Sequence, residues 1–72
     1  MLLKQLDYFI KVVEYRSFTK AAAAAYISQS AISQQIQVLE NSLGVQLLER
    51  HNRSFSLTSA GEYLYRHAPD LQ

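Results

Sequence analysis

Residues 21–38, AAAAAYISQSAISQQIQV, join five consecutive alanines to a segment whose polar side chains are nearly all serine or glutamine. Such a composition is typical either of a solvated low-complexity tract or of two short helices packed so closely that only alanine fits between them. The apolar residues decide between these, because Ile32, Ile36, Leu39 and Leu43 recur at three- and four-residue spacing. That stripe predicts an amphipathic helix with its apolar face on a core.

Helix boundaries can be placed from capping residues. A first helix is predicted over about residues 3–15, from apolar residues at helical spacing. Ser17 and Ser28 are good N-caps, since a serine hydroxyl can accept a backbone N–H of the first turn. They start a second helix that ends near Ala25 and a third that ends at Gly44, a residue suited to the left-handed position after a helix.

The remaining chain predicts a small hairpin and a fourth helix. Residues 45–50 and 54–57 are interpreted as two extended segments around a polar tip at residues 51–53. Thr58 or Ser59 is expected to cap the fourth helix, with Glu62 closing a capping box on Ser59. Pro69 is expected to stop or kink that helix near Ala68. One stripe of the helix contains Ala60, Leu64, His67 and Leu71.

Composition limits the class of protein. The 72 residues, 49% of them hydrophobic, allow one globular domain, and a chain this short has little room for a deep enzymatic cleft. The absence of cysteine excludes a disulfide framework and a thiolate zinc site, and fits an intracellular protein. No signal peptide or apolar segment of about 20 residues is found, so we expect a cytoplasmic protein without a membrane association.

Two helices joined by a short turn, followed by a hairpin, constitute a winged helix-turn-helix arrangement. The third helix turns an uncharged, hydrogen-bonding face away from the core, formed by Ser30, Ser33, Gln34 and Gln37. Glutamine can pair with adenine in the major groove of DNA, and serine can face any base or a phosphate. Arg50 and Arg53, near the hairpin tip, could contact phosphates or the minor groove.

Several motifs resemble the N-terminal DNA-binding domain of LysR-type transcriptional regulators: SFTKAA, SQSAIS, QIQVLE, LGVQLLER and LTSAG. The resemblance extends over almost the whole chain. It implies a mainly α, winged helix-turn-helix fold with a three-helix core, a small β-hairpin wing and the start of a linker helix. Residues 1–57 would be the DNA-binding domain and residues 58–72 the N-terminal part of a dimerising linker helix, with the effector-binding domain absent from this chain.

The resemblance also implies partners and site residues. We expect sequence-specific binding to double-stranded DNA at an interrupted palindromic operator, by a homodimer or, for the full-length protein, a tetramer. A small-molecule effector would act only through the absent domain, and no cofactor, metal or catalytic residue is expected. The candidate DNA-binding residues are Thr19, Lys20, Ser28, Gln29, Ser30, Ser33, Gln34, Gln37, Arg50 and Arg53. The candidate dimer-interface residues are Ala60, Tyr63, Leu64, His67 and Leu71.

The sequence departs from the family pattern at several positions. Ser30 stands where the family usually has proline and Gln34 where it often has arginine, which predicts a weaker electrostatic contribution to DNA binding and greater dependence on dimerisation. Ala25 occupies a position where the family favours leucine. The space that this substitution leaves is expected to be filled by Tyr26 or Leu39.

Other interpretations of the same residues stay open. Ser28 could serve only as a cap, and Arg50 could pair with Glu49 or Glu40 on the surface. His67 and Asp70 have the spacing of a metal-ligand pair, but an isolated pair on a proline-interrupted helix is usually structural. The net charge of only +1 favours an alternative function, a helical dimerisation or protein-interaction module without base recognition.

Overall fold

Four α-helices and one antiparallel hairpin form the structure, in the order that the capping residues predict. The computed structural model describes residues 2–51 and 54–71, and the side chains of residues 4–51 and 54–68. The elements are α1 (Leu2–Tyr15), α2 (Phe18–Ala25), α3 (Gln29–Leu43), β1 (Leu48–Arg50), β2 (Phe55–Leu57) and α4 (Ser59–Leu71). None of the helices in the described ranges is long and apolar enough to cross a membrane.

The predicted helix caps are confirmed. The Ser17 hydroxyl accepts the backbone N–H of Lys20 at 3.1 Å, and the Ser28 hydroxyl accepts that of Ala31 at 3.0 Å. Gly44 has a φ of +73° and its N–H bonds to the carbonyl of Glu40, which ends α3. Each cap satisfies a backbone group that a helix end leaves unpaired, so the boundaries of α2 and α3 follow directly from the sequence.

The core lies where α1, α2 and α3 meet, with α4 packed against α1. Phe9, Val12, Ile32 and Ile36 are fully buried. Val12 is buried because α1 contacts α2, α3 and α4 and is covered on more than one side. The prediction for Leu43 is wrong, since it is 44% exposed at the last turn of α3, beyond the core.

The hairpin is shorter than predicted. β1 and β2 pair in the register Leu48↔Leu57 and Arg50↔Phe55, and residues 45–47 precede the strand. The N–H of Val45 bonds to the carbonyl of Glu40 and closes the end of α3 instead of joining the hairpin. Residues 44–47 therefore form the turn that follows α3, and the hairpin begins only at Leu48.

Residues 46–48, here called the strap, connect α3 to α4 through the hairpin base. The buried carboxylate of Glu40 accepts the N–H groups of Leu47 and Leu48 at 2.8 and 3.2 Å. On the other side, the Thr58 N–H donates to the Leu47 carbonyl at 3.0 Å and the Thr58 hydroxyl donates to the Gln46 carbonyl at 2.6 Å. Glu40 of α3 and the residue that caps α4 are thus both hydrogen-bonded to the strap, and they share Leu47.

The start of α4 is capped by Thr58, whose hydroxyl accepts the N–H of Gly61 at 3.0 Å. Ser59 is the first helical residue, so the expected capping box with Glu62 is not formed. Gly61 is buried, and a Cβ at this position would overlap the Leu47 carbonyl oxygen. Only glycine allows the backbone of α4 to approach the strap so closely.

Pro69 does not stop the helix near Ala68, which was one of the two predicted outcomes, because α4 continues to Leu71. A proline removes one helical hydrogen bond, here the one to the carbonyl of Tyr65, but its fixed φ is itself helical.

Candidate DNA-binding surface

The turn between α2 and α3 brings the two helices into close contact. Tyr26 adopts the left-handed conformation, and the N–H groups of Tyr26 and Ile27 bond back to the carbonyls of Ala23 and Ala22. Ala21 and Ala22 are buried. A larger side chain at either position would displace α2, so the first two alanines of the run are confirmed as a packing surface, while Ala23 is exposed.

The outer face of α3 has the polar character that the sequence predicts. Gln29, Ser30, Gln34 and Gln37 are exposed, and Ser33 is half-buried. These side chains present amide and hydroxyl groups that can donate and accept hydrogen bonds. A face of this kind can distinguish base edges, which present different patterns of donors and acceptors in the major groove.

Thr19 and Gln29 are connected across the junction of α2 and α3. The Thr19 hydroxyl donates to the side-chain oxygen of Gln29 at 3.2 Å. This contact orients the Gln29 amide at the N-terminus of α3 and leaves its NH₂ group available as a donor. Thr19, itself a candidate DNA-binding residue, therefore also positions a candidate base contact.

Arg50 projects from β1 onto α3. Its guanidinium donates to the Ser33 hydroxyl at 2.9 Å and lies 4.7 Å from the centroid of the Phe18 ring. Phe18 packs edge-to-face on Phe55, with ring centroids 5.3 Å apart. The arrangement combines a hydrogen bond with a cation–π contact and holds a positive charge beside the polar face of α3.

The alternative pairing of Arg50 with Glu49 or Glu40 does not occur. Within residues 2–51 and 54–71 the ion pair formed is that of Lys11 with Asp7. Glu40 is only 9% exposed and binds the strap, so its carboxylate faces away from solvent. The sequence carries a signal for this role, since Glu40 is the single charged residue between positions 28 and 48.

An open groove connects α2, α3 and the hairpin. Thr19, Lys20, Gln29 and Arg50 line it together, so the structure brings four predicted DNA-binding residues to one place. Phe18 and Phe55 also line the groove and had not been predicted as part of the surface. Their pairing across 37 positions in the sequence has no local pattern from which it could be recognised. Arg53 lies outside the described residues.

Ser28 caps α3 and is also exposed. As a cap its oxygen accepts a hydrogen bond, while its hydroxyl proton remains available to a ligand. The two interpretations of Ser28 are therefore compatible.

Tyr26 does not fill the space beside Ala25, contrary to one expectation, since it is 94% exposed. Its left-handed backbone turns the side chain away from the core. Leu39, the other candidate, is buried at the centre of the core cluster.

The candidate dimer residues of α4 divide between two environments. Ala60 and Leu64 pack partly against the domain core. Tyr63 is 67% exposed and its ring lies over that of His67, with centroids 4.3 Å apart. Of Leu71 only the helical backbone is described. The exposed part of the predicted interface is thus the Tyr63–His67 pair.

Taken together, the paired helices, the polar face of α3 and the hairpin that carries Arg50 define a winged helix-turn-helix module. Comparisons with known proteins agree with this class. Residues 3–62 match the family described as "Bacterial regulatory helix-turn-helix protein, lysR family". The chain is 50% identical over 71 residues to the HTH-type transcriptional regulator BenM of Acinetobacter baylyi, covering 99% of this chain and 23% of BenM.

Solved structures show the same relationship. The BenM_DBD chain in its complex with catB site 1 DNA has a TM-score of 0.90 at 49% identity, covering 99% of this chain and 80% of that chain. The chain of the CbnR_DBD–DNA complex has a TM-score of 0.91 at 42% identity, covering 99% and 82%.

The protein belongs to the lysR family of bacterial regulatory helix-turn-helix proteins. This is a family of DNA-binding transcriptional regulators and not of enzymes, and the predicted fold class and family are confirmed. The chain spans less than a quarter of the length of BenM.

Proposed function

We propose that this chain is the DNA-binding module of a bacterial transcriptional regulator, and that α3 contacts base edges in the major groove. Gln29, Ser33 and Gln34 are assigned to the bases or adjacent phosphates. Thr19, Lys20 and Arg50, with Arg53 on the wing, are assigned to the DNA backbone. Ser28, Ser30 and Gln37 complete the contact surface.

The observation that carries this proposal is the Arg50 arrangement. A guanidinium held against Ser33 and Phe18 supplies positive charge beside the uncharged face of α3. The low net charge of the chain is therefore no objection, because charge is concentrated where a phosphate backbone would pass. A module without base recognition would have no need for this combination of amide groups and an oriented arginine.

We further propose that the module acts as a homodimer on an interrupted palindrome, in the bacterial cytoplasm. The α4 helix of a second copy would cover the exposed Tyr63–His67 pair and set the separation of the two α3 helices. Residues 58–72 would then be the first part of a longer linker helix. An effector-binding domain would lie in the part of the regulator that this chain does not include.

The proposal is tested by selecting preferred sites from a random duplex library and comparing the best duplex with a scrambled one. Binding is measured by fluorescence anisotropy at 50 and 200 mM salt. We expect the selected duplex to bind at least about tenfold more tightly at both salt concentrations, because base contacts are less salt-dependent than phosphate contacts. Equal affinity for both duplexes would favour the alternative, an interaction module without base recognition.

A further inference from the structure

Within residues 2–51 and 54–71, two residues other than glycine adopt the left-handed backbone conformation: Arg16, with a φ of 54°, and Tyr26, with a φ of 60°. A side chain with a Cβ is strained in this conformation, whereas glycine adopts it freely. Each residue ends a helix, and glycine would serve that purpose better. Residues kept in a strained backbone conformation often have a function that requires their side chain.

Arg16 lies between α1 and α2, directly before the Ser17 cap. Its side chain is exposed and lines the groove that also contains Lys20, Gln29 and Arg50. Tyr26 is absent from the residues that line this groove. The two left-handed residues therefore share a backbone conformation but differ in their relation to the candidate DNA-binding surface.

Among the described residues that line the groove, the charged side chains are all positive. Arg16, Lys20 and Arg50 contribute three positive charges, and no carboxylate occurs among its lining residues in the described part of the chain. On the other side of Arg16 a second depression contains Glu14 and Glu62, but neither forms an ion pair with it within the described ranges. A groove of this charge selects an anionic group.

Gln29, at the N-terminus of α3, lines the same groove. If this end of α3 contacts the bases of a duplex, the sugar-phosphate backbone of that duplex would lie in the groove. We propose that Arg16 binds a backbone phosphate of the DNA in this groove, next to Lys20 and Arg50. The inference rests on the proposed DNA-binding function and adds to it a contact residue outside the helix-turn-helix pair.

The test compares Arg16→Gly with Tyr26→Gly in this chain. Both substitutions relieve the same backbone strain, so we expect both to raise Tm, by about 4 °C. Only Arg16→Gly should weaken binding to the selected duplex, about five- to tenfold at 100 mM salt. It should also lower the salt dependence of binding by about one released counterion. Stability and affinity would then change in opposite directions in one variant.

Two further variants separate charge from backbone effects. Arg16→Lys should keep most of the affinity, and Arg16→Gln should lose about as much as Arg16→Gly. Titration of the free protein with inorganic phosphate tests whether the groove is a site for a free anion, and we expect only binding weaker than about 10 mM. Submillimolar phosphate binding that Arg16→Gln abolishes would assign the groove to a free anion instead.

Each remaining outcome has a definite meaning. Unchanged DNA affinity of Arg16→Gly and Arg16→Gln would overturn the inference while leaving the proposed function in place. Equal losses for Arg16→Gly and Tyr26→Gly would attribute the effect to backbone flexibility, which also overturns it. If the unmodified chain bound no duplex at all, the proposed function itself would fail.

Discussion

The α3 and α4 helices are attached to the same small core in different ways. Local backbone conformation fixes α3 at both ends, through the Ser28 cap and the left-handed Gly44, whose added Cβ would meet no atom within 4 Å. The start of α4 is instead fixed by close packing, because Gly61 lies against the Leu47 carbonyl and leaves no space for a side chain. Two glycines 17 positions apart are thus required for opposite reasons, one for its φ angle and the other for its size.

The outer faces of these helices differ in a corresponding way. The face of α3 consists of separate amide and hydroxyl groups, each able to make its own hydrogen bonds. The exposed part of the predicted interface on α4 is a pair of tilted rings, Tyr63 and His67, which would contribute mainly by excluding water if a second copy covered it as proposed. We therefore expect substitutions on α3 to change specificity and substitutions on α4 to change association or stability.

The largest expected effect concerns the two glycines. Gly61→Ala should reduce the free energy of unfolding by about 3 kcal/mol, because the Leu47 backbone cannot move aside without breaking the strap. Gly44→Ala should cost only about 1 kcal/mol, the penalty of a Cβ in the left-handed conformation. Denaturant unfolding of both variants gives the comparison. Similar losses would show that the close approach at Gly61 does not limit stability.

A smaller effect is expected on the face of α3. Gln29→Ala should weaken binding to the selected duplex by about 2 kcal/mol and binding to scrambled DNA very little, because a bidentate amide contact distinguishes bases. The control is Gln46→Ala, an exposed glutamine side chain on the strap. Anisotropy titrations of both variants on both duplexes would measure the difference. If Gln29→Ala weakened binding to the two duplexes equally, Gln29 would be a backbone contact.

The smallest effect is expected on α4. Tyr63→Ala should raise the dimer dissociation constant about tenfold, or about 1.4 kcal/mol, while leaving the fold intact. Leu64 is a poorer probe, because it packs against the core and its replacement would also destabilise the domain. Tyr15→Ala, at the exposed end of α1, serves as control. Sedimentation equilibrium over a wide concentration range would detect the change, and identical association of both variants would exclude Tyr63 from the interface.

The sequence predicted those parts of the fold that short-range chemistry determines. Ser17, Ser28 and Gly44 act within three or four residues of the backbone groups that they satisfy, so their roles are visible in the order of residues. The polar face of α3 follows from helical periodicity in the same way. These elements needed no knowledge of the tertiary structure.

The sequence did not predict contacts between residues that lie far apart in the chain. Glu40 was considered a surface partner of Arg50, but its carboxylate is enclosed by the strap seven and eight residues later. Leu43 fits the apolar stripe of α3, yet its side chain is 44% exposed at the last turn of the helix. The contact of Arg50 with Phe18 joins residues from opposite halves of the chain. Such pairings depend on how the helices are arranged, which periodicity alone does not determine.

The strap has a mechanical consequence. Glu40 in α3 and Thr58 before α4 each bond to two residues of the strap, through four hydrogen bonds in all, and both bond to Leu47. Rotation of α4 about its first turn would have to break these bonds or turn α3 with it. The orientation of α4 is therefore coupled to that of α3 through the strap. If α4 continues into a linker helix as proposed, a change in the direction of that helix would be transmitted through the strap to α3.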